Sequence, residues 1–478
     1  MKQMRDLFKI KKILRKILFV FACLMVICNS ASAQSDSANT MQRLKWWQDA
    51  KFGLFLHWGL YSVPAGDWNG HRVKGNEYLM LYQKIPVKTY GEIAKEFDPV
   101  KFNADEWVMM AKNAGMKYIV ITTKHHDGFA MFNSPSSSYN VVKMSPWGKD
   151  PMKLLAAACK KHGIKLCFYY SLGRDWQDPD VPTNWPTKGG RSNTWDYPNE
   201  DKKDITKYFR RKVMPQVREL LTQYGPIGIM WFDTPELIKP EESRELLAMI
   251  RELQPNCIVN SRIGNGLGDY KVLEQKIATT IDLNPWESCV TMNGGWGYNK
   301  YDSAWKSPEL LIRQLIETVS SGGNYLLNIG PKGDGSFPAP AVLRLAAIGK
   351  WMHVNSQGIY DTRPWKIAAE KVGEPVVKNA TDKLDKGALD AFDDATPKDI
   401  FPEIRFTSKG DNVYVFANSI ETAELQVKAL GTANFKKIKQ VTLLGGDRVK
   451  WKQEAGFLNI KMPKKKAGGI NIYVFKVF

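Results

Sequence analysis

Asp233 is the residue best placed to do chemistry. It ends the apolar run Ile227-Gly228-Ile229-Met230-Trp231-Phe232, so it would be presented rigidly at a strand's C-terminal end, where barrel enzymes build their sites. A carboxylate there can attack a sugar's anomeric carbon if a second carboxyl, ~5–5.5 Å away, protonates the departing oxygen. Two residues are candidates for that second carboxyl. Glu274 closes a Gly-rich, loop-like stretch beginning at Gly264, and loops above a barrel reach its substrate. Glu287 is the alternative acid/base: it lies in Pro285-Trp286-Glu287-Ser288-Cys289, and burial beside an aromatic would keep a carboxyl protonated. Any of the three could instead be a structural partner, and a linear sequence does not give distances.

Other polar groups follow strand-like runs in the same way. His57, His125 and His126 each come after an apolar segment. They form no H-E-x-x-H pattern, and adjacent residues at a strand end should point in different directions, so hydrogen bonding to sugar hydroxyls is preferred over metal binding. No metal and no cofactor is expected. Glu77-Tyr78, Tyr169-Tyr170, Trp231, Arg262 and Trp296 complete a plausible sugar pocket, because aromatic faces suit the apolar side of a pyranose and charged forks order its hydroxyls. Arg262 is the most telling, since an unpaired guanidinium after a buried strand would be costly.

These residues need a scaffold that brings strand ends together. Phe52 to Leu56, Lys117 to Thr122, Ile164 to Tyr170, Ile227 to Phe232, Cys257 to Asn260 and Tyr325 to Ile329 read as strands. Between them, helices are predicted over Asn103 to Ala114, Asp150 to Gly163, Glu241 to Leu253 and from Ser307-Pro308 onward, each with a capping residue, proline or glycine at its ends. Alternation of this kind implies an α/β fold with a parallel sheet inside and helices outside, and the length favours a closed (β/α)8-like TIM barrel over residues 34–365. Residues 366–400 are polar and weakly periodic, and read as a linker or surface excursions. Beyond them Ile404 to Thr407, Val413 to Ala417, Val441 to Leu444 and Ile470 to Phe478 predict a small C-terminal antiparallel β-sandwich over 401–478.

Residues 1–33 have the form of a secretory signal peptide: seven basic residues, the short apolar stretch Ile17 to Cys28, and an Ala31-Ser32-Ala33 cleavage site. Export to a periplasm or the medium is therefore expected. Removing those seven bases and the single acid Asp6 takes the net charge from +19 to +13. The surplus fits attraction to acidic glycans or an envelope, and no nucleic-acid module is recognisable. No later segment has the ~20 apolar residues of a membrane span. Cys159, Cys167, Cys257 and Cys289 match no zinc spacing and read as buried free thiols. The oligomeric state is left open.

Several motifs, in order, resemble one known family. They are Lys51-Phe52-Gly53-Leu54-Phe55-Leu56-His57-Trp58-Gly59, Lys124-His125-His126-Asp127-Gly128-Phe129, Trp231-Phe232-Asp233, Gly268-Asp269-Tyr270, Trp286-Glu287-Ser288-Cys289 through Asn299, and Gly323-Asn324-Tyr325 through Pro331. From about Trp46 to Trp365 the chain is similar to the retaining α-L-fucosidases of glycoside hydrolase family 29. The resemblance implies hydrolysis of terminal α-L-fucose from fucosylated oligosaccharides or glycoconjugates, with retention and without a metal. It implies that Asp233 is the nucleophile and Glu274 the acid/base, that His57, Glu77, His125, His126, Tyr170 and Arg262 bind fucose, and that Trp296 packs near the sugar's methyl group. Tyr78, where many relatives have Trp, and Val272-Leu273, where Thr-Pro is more usual, depart from the family pattern. Two other readings stay open: an α-L-galactosidase-like activity, and a secreted glycan-binding protein on a degenerate hydrolase scaffold.

Overall fold

The computed structural model describes residues 39–478 except 74–75, 184–191, 279, 373–402, 419–421, 447 and 465–469. The expected signal peptide and most of the expected linker lie outside the described residues. Met1–Trp46 separates as a unit of its own, of which 39–46 are described and helical. The rest of the fold belongs to Trp47–Phe478.

Eight parallel strands form the inner sheet: β1 (Phe52–Leu56), β2 (Tyr118–Lys124), β3 (Lys165–Ser171), β4 (Ile229–Asp233), β5 (Ile258–Val259), β6 (Lys271–Glu274), β7 (Trp286–Thr291) and β8 (Asn324–Ile329). Their order is β5-β4-β3-β2-β1-β8-β7-β6, so neighbours in space are neighbours in sequence and β8 returns to β1. The seam between β5 and β6 is closed by a parallel bridge, Asn260 to Tyr270, with Ser261 N donating to Tyr270 O at 2.8 Å. The eight strands thus complete a TIM-like barrel. Every residue of β1, β2, β7 and β8 is buried, as expected of strands covered on both faces.

Helices fill the outside where the sequence supplies caps. In α1 (Ala104–Asn113) Asn103 Oδ1 accepts from Glu106 N at 3.2 Å; in α2 (Pro151–His162) Asp150 Oδ1 accepts from Met152 N at 2.9 Å, and Gly163 ends the helix at φ +71°. The other long helices are α3 (Met214–Gln223), α4 (Pro240–Leu253), α5 (Pro308–Ser320) and α6 (Ala339–Asn355). Among the described residues, the connections after β5 and β6 carry no α-helix. After β5 the chain makes a 3-10 turn, Ser261–Ile263, and then runs through Gly264, Gly266 and Gly268, all at positive φ. Gly268 is required: a Cβ there would stand 2.6 Å from Asn260 O. This close approach lays β6 against β5 and carries Glu274 to the top of the barrel. Glu274 is therefore the last residue of a strand, a correction to the loop expected from the glycines.

The sandwich packs a five-stranded sheet against a three-stranded one. The first runs β9 (Arg363–Lys371), β10 (Glu403–Lys409), β11 (Asn412–Asn418), β16 (Tyr473–Val477), β13 (Val441–Leu443); the second runs β12 (Glu424–Val427), β15 (Leu458–Lys461), β14 (Trp451–Gln453). Phe406, Val415, Leu425, Leu458, Ile460 and Phe475 fill the space between them. The first residues of the expected linker belong to β9, which pairs with β10. All four strands read from the sequence fall in the larger sheet. Trp351 of α6 ties barrel to sandwich by donating to Ile472 O at 3.0 Å, and Arg313 and Glu317 of α5 meet Glu403 and Arg405 of β10 in a buried charge cluster.

Candidate active site

A cavity opens at the C-terminal ends of the strands. It is lined by thirteen residues, among them Asp233, Glu274, Arg262 and the three histidines. Asp233 is the last residue of β4, and its backbone is locked to the end of the neighbouring β3 by Leu172 N donating to Asp233 O at 2.8 Å. Its Oδ1 accepts from Arg262 Nη1 at 2.5 Å and from Thr234 N at 2.9 Å; its Oδ2 accepts from Tyr169 OH at 2.9 Å. Burial alone would raise its pKa, but Arg262, Arg174 and these hydrogen bonds outweigh it and hold the carboxyl below its ordinary value. Asp233 is an anion at neutral pH.

Arg262 reaches the cavity from the 3-10 turn after β5. Its other fork, Nη2, donates to Glu274 Oε2 at 2.5 Å, so one guanidinium grips both carboxylates. The guanidinium carbon lies 5.3 Å from the centre of the Trp231 ring, which gives it a flat support. The Glu274 side chain is 28% exposed against 14% for Asp233, so Glu274 is the one nearer to water.

The histidines share one wall. His57 Nδ1 lies 2.7 Å from Asn328 Oδ1, and Asn328 Nδ2 donates to Trp296 O at 2.7 Å, so β8 holds two lining residues in place. His126 Nδ1 lies 2.6 Å from Ser171 Oγ, with its Nε2 3.7 Å from Asp233 Oδ2. The His125 and His126 rings are 4.1 Å apart and both face the cavity. The divergence expected of adjacent strand residues fails because both lie just past the end of β2, where the pleat no longer alternates them. Burial pushes the pKa of all three down, that of His57 to about 4. The imidazoles are neutral at pH 7, suited to donate and accept hydrogen bonds with hydroxyls. Among the described residues no group of three His, Cys, Asp or Glu is arranged to hold a metal ion.

This depression has a consequence for stability. A histidine whose pKa falls on folding binds fewer protons folded than unfolded, so its contribution is present above pH 6.5 and is lost as pH falls towards 4. His57 should cost about 3 kcal/mol of stability between pH 7 and 4. Urea unfolding at both pH values should show a smaller acid loss in His57→Gln than in the wild type; equal losses would contradict the burial account.

The remaining lining residues complete the cup. Glu77 Oε2 accepts from Gly297 N at 2.9 Å, and burial raises its pKa. Phe55, Trp231 and Trp296 make an aromatic corner, with Phe55 5.0 Å from Trp231 and 6.0 Å from Trp296 between ring centres. Tyr78 lines the cavity and accepts from Arg174 Nη1 at 3.0 Å.

Two expectations are corrected. Tyr170 does not reach the cavity: it points outward and donates to Gln216 of α3 at 2.8 Å, while its neighbour Tyr169 points in. Glu287 lies one layer below the cavity, under Cys289 of the same strand. There it accepts from Tyr118 OH at 2.6 Å, Trp231 Nε1 at 2.9 Å, Trp47 Nε1 at 3.3 Å and Tyr270 OH at 3.4 Å. Burial raises its pKa and these four donors oppose the rise. It is a floor carboxylate that fixes Trp231 from beneath. Sequence reasoning missed Phe55 and Cys289 as lining residues and Arg174 as a charge beside Asp233; Arg174 could have been found by the rule that singled out Arg262, a guanidinium just past a buried strand.

Known proteins of one family resemble this chain. A family model described as Alpha-L-fucosidase matches residues 21–357. The chain is 34% identical over 366 residues to the tissue alpha-L-fucosidase of Mus musculus, covering 70% of this chain and 76% of that one. It is 30% identical over 382 residues to the alpha-L-fucosidase of Dictyostelium discoideum, covering 74% and 80%. Among solved structures, alpha-L-fucosidase isoenzyme 1 from Paenibacillus thiaminolyticus superposes with a TM-score of 0.76 at 30% identity, covering 92% of this chain and 99% of that one. An alpha-L-fucosidase from Lactobacillus casei, solved with its α-L-fucose product, gives 0.63 at 37% identity, covering 66% and 99%. Matched by that family model over residues 21–357 and 34% identical to a relative of which it covers 76%, the chain belongs to the α-L-fucosidase family.

Proposed function

We propose that the protein hydrolyses terminal α-L-fucose from glycans with retention, using Asp233 as nucleophile and Glu274 as acid/base. The observation that carries this reading is the single guanidinium of Arg262 between the two carboxylates. Such a grip keeps them close, in the manner of a retaining pair (~5–5.5 Å) and not of an inverting pair (~6.5–9.5 Å). Asp233, held ionised, attacks the anomeric carbon as Glu274 protonates the glycosidic oxygen; a β-fucosyl ester forms and the leaving alcohol departs. Glu274 then takes a proton from water, which attacks the anomeric carbon, breaks its bond to Asp233 and releases α-fucose and the Asp233 carboxylate. The neutral histidines, Glu77 and Arg262 order the ring hydroxyls.

The aromatic corner of Phe55, Trp231 and Trp296 offers an apolar seat for the methyl group of a 6-deoxy sugar. An added hydroxyl at that carbon would find no partner, although an apolar pocket rejects one only ~100-fold. An aryl α-L-fucoside should therefore be hydrolysed about 10- to 100-fold faster than the matching α-L-galactoside; equal rates or a galactoside preference would refute the assignment of the sugar. Binding of fucose without turnover of either would favour the glycan-binding alternative.

Tyr169 has a testable part in the same site. A hydroxyl bonded to a carboxylate contributes ~1.5–3 kcal/mol, so Tyr169→Phe should lower kcat/KM roughly 10- to 100-fold. Removing a hydrogen bond to the ionised form raises the Asp233 pKa, so the acid limb of the pH profile should move to higher pH. Tyr170→Phe should leave that limb in place.

Export forms part of the proposal. The basic n-region, apolar core and Ala31-Ser32-Ala33 support cleavage after Ala33 and release to a periplasm or the medium. Sequencing the N-terminus of the protein recovered outside the cytoplasm tests this: a start at Gln34 is expected, and retention of Met1 would contradict it.

A further inference from the structure

His57 and His126 line the cavity, and what each offers a sugar depends on which ring nitrogen carries the proton. A neutral imidazole has one N–H and one bare nitrogen, and the partner of one decides the state of the other. In both rings Nδ1 is engaged by the protein.

Ser171, the last residue of β3, settles His126. Its Oγ donates to Arg174 O at 2.8 Å and lies 2.6 Å from His126 Nδ1. A serine hydroxyl has one proton to give. Given to His126, it would leave Ser171 Oγ and Arg174 O as two acceptors 2.8 Å apart with nothing between them, and Ser171 is fully buried, so no water could relieve them. Thr234 Oγ1, at 3.4 Å, brings its own proton and does not compete for this one. The proton of the 2.6 Å contact is therefore on His126 Nδ1, and Nε2 is bare. The Asp233 anion pulls the other way, since it favours an N–H on Nε2. Its Oδ2 is 3.7 Å from that nitrogen, too far for a hydrogen bond, and the two short bonds win.

Asn328 of β8 settles His57 by other means. Its Nδ2 donates to Trp296 O at 2.7 Å, which turns Oδ1 towards His57 Nδ1, also at 2.7 Å. An amide oxygen only accepts, so His57 Nδ1 is the N–H. With Nδ1 taken, Nε2 is the polar atom each ring has left for the cavity, and neither Nε2 is both buried and unpartnered. His125 has no such support: its Nδ1 is buried without a partner among the described residues.

We propose that Ser171 and Asn328 are positioning residues that fix these two tautomers, so that His126 and His57 present bare Nε2 atoms and accept hydrogen bonds from two hydroxyls of the bound sugar. That the ligand is fucose rests on the reading above; the tautomers do not. Together with Asp233 and Glu274 the two nitrogens make the cavity rich in acceptors. It selects a sugar whose ring hydroxyls are free to donate and rejects one whose hydroxyls there are methylated or acylated.

A long-range proton–nitrogen correlation spectrum of protein carrying isotope-labelled histidine, recorded at pH 7 without ligand, reads the tautomers directly. Six histidines are few enough to resolve, and His57→Gln and His126→Gln assign two of them by loss of signal. Both should show a protonated Nδ1 and a bare Nε2, the reverse of the form that free histidine prefers in water. A proton on Nε2 of either residue in the wild type would overturn the proposal. Ser171→Ala, checked for an unchanged melting temperature, should move the His126 proton to Nε2, leave His57 as it was, and lower kcat/KM on an aryl α-L-fucoside about tenfold. Ser171→Thr, which keeps the hydroxyl, should restore both the tautomer and the rate. A lowered rate with His126 still protonated on Nδ1 would make Ser171 merely structural and overturn its role. The wild-type spectrum decides the tautomers whatever the variants do. A wild type with the expected tautomers that turns over no fucoside would refute the fucosidase reading and leave the tautomers standing.

Discussion

Asp233→Asn should lower turnover of an aryl α-L-fucoside by on the order of 10⁴-fold or more, as loss of an attacking group does in other covalent enzymes. The amide keeps the volume of the carboxyl, and its oxygen still accepts from Arg262 and Thr234. It loses the charge, and with it the power to form an ester. The barrel should be intact, because Asp233 is held through its backbone and the side chain faces a cavity. An unchanged melting transition beside the lost activity would separate chemistry from folding. A smaller residue at the position opens a second check: in Asp233→Gly, added azide should enter from the vacated side, restore part of the rate and give the β-fucosyl azide. An α-azide, or no rescue with any small anion, would argue against attack from the Asp233 face.

Glu274 should show a different pattern, because an acid matters in proportion to how poorly the leaving group departs. General acid catalysis contributes typically ~10²–10⁴-fold. Glu274→Ala should lose that whole range on a fucosyl disaccharide, whose alcohol leaves only when protonated. On a dinitrophenyl fucoside, whose phenolate needs no proton, the ester should still form, and its hydrolysis should become rate-limiting for want of a base. A burst of dinitrophenolate followed by a slow steady state is the expected trace. Equal losses on both substrates, without a burst, would assign the proton to another group. Glu287 is a poor alternative, since four protein donors occupy it beneath the cavity floor. Glu287→Gln should act through Trp231 and weaken both substrates alike.

The sequence announced the strands that carry long apolar runs and the helices that carry caps. Asp233, His57 and Arg262 were legible because each follows such a run. Tyr169 and Tyr170 could not be told apart for a physical reason. In a barrel both faces of β3 are buried, one by the interior and one by helices, so no apolar-polar alternation marks the inward residue. β6 was hidden by its brevity and by the three positive-φ glycines before it, which read as loop yet are what lets its backbone approach β5. Glu287 looked like an acid because burial beside Trp suggests one; its four donors come from Trp47, Tyr118, Trp231 and Tyr270, far apart in sequence. The smaller sandwich sheet went unseen because β12, β14 and β15 have only three or four residues each and mix Lys, Gln and Asn with their apolar positions.

The central claim is that Asp233 forms a covalent bond to fucose during turnover. The most direct measurement is to trap that bond with a 2-deoxy-2-fluoro-fucosyl donor, whose fluorine slows ester hydrolysis more than a reactive leaving group slows its formation, and to locate the label by peptide mass spectrometry. The account predicts one fluorofucosyl group per chain, on the peptide containing Trp231-Phe232-Asp233, and none on the Asp233→Asn variant. A label on Glu274, on Glu287 or on Glu236 would contradict it.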